Sequence, residues 1–163
     1  MTTLVEEKLK EIGLIDVALF KHGFMPYMRD YFLEYESGGI APYAGLYLCL
    51  FTHCVVANLE TRVGDEIWQN SWSDVYLDFD KWVEAGEPNG FVWGTNWSLT
   101  YPGLEYMKES NLATRWSIKL KKEMHEIIIQ TESIQIQLIF HDVIVKKLSS
   151  DVTVIDKVIF PMK

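Results

Sequence analysis

The chain has 163 residues, of which 48% are hydrophobic and 23% charged, and its formal net charge is −8. That length predicts one domain, residues 1–163, able to bury roughly 70% of its unfolded surface without a covalent staple, and the composition excludes a disordered chain. The acidic balance argues against non-specific nucleic-acid binding and against anionic membrane surfaces, because both need Lys and Arg to meet phosphates, while it permits attraction to a basic protein.

The first predicted element is a helix over residues 3–12. Leu4, Val5, Leu9 and Ile12 recur at helical spacing, Thr3 is placed to cap it, and Gly13 ends it. Residues 1–8, Met-Thr-Thr-Leu-Val-Glu-Glu-Lys, carry acids and not a basic region followed by an apolar run, so a signal peptide is not expected. Residues 15–20, 27–35 and 45–63 are rich in β-branched and aromatic side chains and predict antiparallel strands. Pro26 and the run Ser37-Gly-Gly-Ile-Ala-Pro42 divide them. In the third, Tyr47, Cys49, Phe51 and His53 share one face and Leu46, Leu48 and Leu50 the other, as in a central strand.

Residues 66–106 hold five tryptophans and seven acids against the single base Lys81, a net of −6. Trp68, Trp72, Val75, Tyr76, Phe79 and Val83 recur near three and four residues, which predicts one or two helices and assigns the rings of Trp68, Trp72, Tyr76 and Phe79 mainly to core packing. Gly86-Glu-Pro-Asn-Gly90 stops that pattern. Residues 91–94 and 97–101 are short strands or ordered loop, and Pro102-Gly103 is a turn. Ser110 reads as a helix cap before the stripe Leu112, Trp116, Leu120 and Met124. Residues 125–131 and 134–140 form a hairpin, the second arm alternating strictly through Ile134, Ile136, Leu138 and Phe140. A phase slip at His141-Asp142 predicts a bulge, and residues 152–160 a last strand. The fold class is therefore α+β: mainly antiparallel β-sheet, with a helical, Trp-rich middle segment and a C-terminal β-hairpin.

Chemical motifs are few. His22, His53, His125 and His141 show no close metal spacing, and no GxSxG or phosphate loop is present, so no metal, cofactor or catalytic residue is assigned. Cys49 and Cys54 read as free buried thiols, since five residues along a strand is too far for a local bridge. Two groups of residues remain as candidates. Asp78, Trp82, Glu84, Glu87, Trp93 and Trp97 combine carboxylates with the ring types that anchor protein interfaces. Arg29, His53, His141 and Asp142 are polar residues within apolar strands, where a charge must be paired, at an edge, or at work in a pocket.

Several strings resemble a family of small Bacillus-type bacterial proteins, the YxiG-like family. They are Leu50-Phe-Thr-His-Cys54, Gly86-Glu-Pro-Asn-Gly-Phe-Val-Trp-Gly94, Tyr101-Pro-Gly103, Met124-His-Glu126 with Thr131, and Phe140-His-Asp142. The similarity runs from about Ile15 onward, leaving the first helix as a departure. The family has no catalytic residues to carry over. Its genes sit in neighbourhoods that look like those of polymorphic toxins and their immunity genes. The resemblance implies a cytoplasmic, non-enzymatic binding protein, most concretely an immunity protein whose acidic, aromatic surface neutralises a basic toxin. The alternative is a small enzyme or small-ligand binder using the His/Asp/Arg group.

Overall fold

A computed structural model of the protein describes residues 2–38, 44–70, 75–76, 79–87, 92–93 and 97–149. The fold is α+β, mostly strand, with two antiparallel sheets and four short helices among the described residues. The first sheet runs β11-β3-β2-β1-β7, built from β1 (Ala18–Phe24), β2 (Tyr31–Ser37), β3 (Gly45–Thr52), β7 (Ser98–Leu99) and β11 (Asp142–Ser149). The second runs β4-β10-β9-β8, from β4 (Val56–Thr61), β8 (Gly103–Tyr106), β9 (His125–Gln130) and β10 (Ile134–Phe140).

The two sheets share one core. Leu19, Leu33, Cys49, Phe51 and Val143 come from the first; Ile127, Ile129, Ile136, Leu138 and Phe140 come from the second. Phe51 and Phe140 meet edge to face, 4.8 Å between centroids. The strict alternation of β10 is what lets its apolar set face inward together. β3 lies between β11 and β2, the interior position its two apolar faces imply.

Helix α1 (Leu4–Ile12) forms as its caps predict. The Thr3 hydroxyl accepts from the Glu6 amide at 3.1 Å, and Gly13 closes it at φ 56°. It sends Val5 and Leu9 into the shared core. Helix α4 (Asn111–Leu120) is capped by Ser110, whose hydroxyl oxygen accepts from the Ala113 amide at 2.9 Å. Ala113 joins Met124 and Ile139 in a second cluster, so α4 covers the other face of the second sheet.

The structure corrects several expectations. Residues 45–63 are not one strand: the chain leaves the ladder at His53–Val55, and β3 and β4 belong to different sheets. There is no bulge at His141-Asp142. The phase slip marks a second crossing, where β10 of one sheet passes into β11 of the other. Arg29 and Asp30 lie in the turn before β2, not within a strand. The middle segment forms α2 (Asp65–Asn70) and α3 (Phe79–Glu84), but Val75–Tyr76 is strand β5, paired in parallel with β6 (Val92–Trp93). β8 pairs with β9 where only a turn was expected. The strand expected over 152–160 lies outside the described residues.

Candidate functional site

The acidic segment is displayed by α3 and the turn after it. Asp80, Glu84 and Glu87 are exposed, and so is Val83 at 41%. Glu87 adopts φ 52° and donates its amide to the Trp82 carbonyl at 3.0 Å, which folds the turn back on the helix end. Trp82 and Trp97 are half-buried. Trp93 sits on β6, and Asp78 lies outside the described residues. Trp68, expected in the core, is 46% exposed, and its indole N–H donates to the Thr61 hydroxyl at 3.0 Å. Helical spacing there marks an amphipathic helix whose apolar ring is only partly covered.

The second group gathers where the chain crosses between sheets. Asp30, 1% exposed, organises it. Its carboxylate accepts from Arg29 through Nε at 2.8 Å and Nη2 at 2.7 Å, from the Tyr27 hydroxyl at 2.7 Å, and from the His53 amide at 3.0 Å. The guanidinium beside it, helped by these other donors, holds its pKa well below the usual carboxylate range although burial pulls the other way. His53, at φ 49°, occupies the first crossing; His141 occupies the second. Their rings meet edge to face, with centroids 5.8 Å apart.

Three of the four predicted pocket residues thus converge, and the fourth does not. Asp142 pairs with Lys8 of α1 at 2.8 Å and also accepts from the Val143 amide at 2.8 Å. The reason is the strand step: His141 and Asp142 are consecutive, and successive residues point apart. Lys122, beyond the end of α4, was not among the expected site residues. Its charge reaches His53: burial lowers the imidazole's pKa first, and Lys122 and then Arg29 lower it further. Position after a helix end gave no signal that the Lys122 charge would reach a histidine at the crossing between sheets.

The remaining polar residues have structural duties. His22 Nδ1 meets the Tyr31 hydroxyl at 2.8 Å and His125 Nδ1 the Tyr106 hydroxyl at 2.9 Å, so each ring bonds to a phenol. Burial pushes the Cys54 thiol up to about 12, which keeps it a thiol at neutral pH, and its Sγ donates to the Val56 carbonyl. No group of three or more His, Cys, Asp or Glu side chains among the described residues is placed to hold a metal ion. A cavity of about 800 Å3 lies between α1 and the first sheet. Tyr35 and Tyr47, stacked with centroids 5.5 Å apart, line it with Lys8, Glu11 and Val143.

The YxiG-like protein family model matches residues 2–158. The chain belongs to that family. The match includes α1, so the first helix is part of the family pattern and not a departure from it. Among curated proteins, none matches the chain. Among solved structures it is similar to an uncharacterized protein from Neisseria gonorrhoeae, with 13% identity over 82% of this chain and 93% of the other, at a TM-score of 0.37. No helix among the described residues is long and apolar enough to cross a membrane.

Proposed function

We propose that this YxiG-like chain is a non-catalytic, cytoplasmic binding protein that engages a basic protein through the acidic surface of α3 and its following turn. The carrying observation is that Asp80, Glu84 and Glu87 all reach solvent beside the exposed Val83 and the half-buried Trp82. An apolar patch rimmed by like charges suits a protein partner: the charges steer encounter and the apolar surface holds the complex. The most concrete form is neutralisation of a toxin. Nuclease toxins are basic because their substrate is polyanionic, and an acidic inhibitor presents the same charge.

The test is to co-express the chain with the products of neighbouring genes and to measure binding of any basic one at several salt concentrations. A 1:1 complex that weakens with salt, and that weakens about tenfold or more in Glu84→Lys/Glu87→Lys, is the expected result. Absence of any such partner, or a complex indifferent to both charge reversals, overturns the reading.

A further inference from the structure

The corner where the chain passes between sheets combines features that its structural role leaves unused. Asp30 is fully engaged, but Arg29 is not: its Nη1 makes no hydrogen bond among the described residues, and its side chain is 58% exposed. The Lys122 ammonium has no ion-pair partner among the described residues, and the residue is half-buried. The charges of these two cations reach His53, whose ring centroid lies 5.8 Å from that of His141, and Glu123, the chain neighbour of Lys122, meets the His141 ring through its carbonyl. Neighbouring cations repel one another, and an anion bound between them would relieve that repulsion.

The tautomers sharpen the ligand class. His141 Nδ1 lies 2.7 Å from the Glu123 carbonyl, which can only accept, so Nδ1 carries the proton and the neutral ring leaves Nε2 as an acceptor. His53 Nδ1 is buried with no hydrogen-bond partner. A buried N–H without an acceptor is costlier than a bare lone pair, so the neutral ring keeps its proton on Nε2 as a donor. The corner thus offers an ammonium, a free guanidinium nitrogen, one imidazole donor and one imidazole acceptor. A carboxylate would leave the acceptor idle. A monohydrogen phosphate, or a phosphate monoester in its singly protonated form, carries both oxyanions and a hydroxyl, and can use all four.

We propose that Arg29, His53, Lys122 and His141 form a binding site for a phosphate-type oxyanion, either free phosphate or the phosphoryl group of a small monoester. The site shares no residue with the acidic surface of α3 and does not depend on it. The other titratable groups around it are Asp30, which is internally paired, Glu123, Asp142, which is held by Lys8, and the buried His125, which feels the charge of His141. Bound phosphate reverses the like-charge pressure on His53, so by linkage it raises that imidazole's pKa, which burial and the two cations now lower.

The experiment is an NMR titration of the histidine ring signals in the full chain, with inorganic phosphate in one arm and glycerol 3-phosphate in another. Sodium chloride at matched ionic strength is the control. The expected result is saturable change at His53 and His141, a higher His53 pKa in the presence of ligand, and about tenfold or greater weakening in Lys122→Gln. The tighter-binding arm identifies the source. His53→Asn, a residue that tolerates the left-handed backbone at this position, gives a second variant that keeps the turn and should weaken binding likewise. Changes matched by chloride, or unaltered in Lys122→Gln, overturn the proposal.

Discussion

Asp30→Asn separates the structural work of the inter-sheet corner from its surface charge. Asp30 is 1% exposed and takes four hydrogen bonds, from Arg29 twice, Tyr27 and the His53 amide. The donors would not lose equally. Arg29 and Tyr27 are 58% and 56% exposed, so both can turn to water. The His53 amide is fixed by the crossing, and the asparagine oxygen can serve it only if the new NH2 group is turned against the other donors. One buried donor facing donors, together with the lost charge-assisted bonds, costs about 2–4 kcal/mol. Denaturant unfolding at pH 7 measures it; for a chain of this length the melting temperature falls by about 2–4 °C for each kcal/mol. The depressed pKa of Asp30 fixes the pH dependence. Its ionised form stabilises the fold fully above the unfolded carboxylate value of about 3.9, and that contribution is lost as pH falls through the folded value. The difference between wild type and Asp30→Asn should therefore be flat from about pH 5 to 8 and shrink below about pH 4. Asp142→Asn is the comparison, since that pair with Lys8 is 38% and 35% exposed and is worth under about 1 kcal/mol after solvent screening. Equal costs for the two variants, or a pH-independent difference for Asp30→Asn, would refute the reasoning.

Three further outcomes follow from other buried groups. Thr131→Val should cost about 2–3 kcal/mol in denaturant unfolding, because the fully buried Thr131 hydroxyl accepts from the Ser133 and Ile134 amides at 3.1 and 3.0 Å and from the Ser98 hydroxyl at 2.9 Å. Thr131→Ser, which keeps the oxygen, should recover most of that loss. Gly103→Ala should cost about 3 kcal/mol or more in the same assay, since Gly103 has φ 96° and an added Cβ would collide with the Leu14 carbonyl oxygen and come within 3.2 Å of Ile15 Cα. Tyr106→Phe removes the partner of His125 Nδ1, and a loss of about 1–2 kcal/mol by thermal unfolding is expected.

Local signals carried into the fold where one short-range rule was enough. Thr3, Gly13 and Ser110 cap helices as their types predict, because capping depends on a few neighbouring residues. The hairpin of β9 and β10 follows from alternation alone. The crossings were visible only as irregularities. His53 interrupts an apolar run and His141 shifts the phase of another, yet a shift in pattern reads equally as a bulge, a turn or a change of sheet. Which one occurs depends on partners about 90 residues apart, such as Thr52, whose carbonyl accepts from His141 at 2.9 Å. Periodicity also misassigned Val75 and Tyr76, where a two-residue strand is shorter than one helical turn. The histidine corner was legible as residue types, but the reach of the Lys122 charge to His53 depends on the tertiary fold.

The two candidate surfaces differ in how they are held, and that difference bears on what each can bind. At the corner, backbone groups of one crossing bond to the other: Val55 donates to Ile139 and His141 to Thr52, while Cys54 donates to Arg29. Asp30 adds a buried charge to the same set. A site tied down this way loses little conformational freedom when a ligand arrives, so a few contacts from a small anion can suffice. The α3 surface is six residues of helix carrying exposed charges on flexible side chains. Ordering those side chains costs free energy that only a larger buried area can offset. A protein partner supplies that area and a small molecule does not. The same chain can therefore carry a rigid anion site and a charged docking surface without either compromising the other, and charge reversal at Glu84 and Glu87 should leave phosphate binding at Lys122 unchanged.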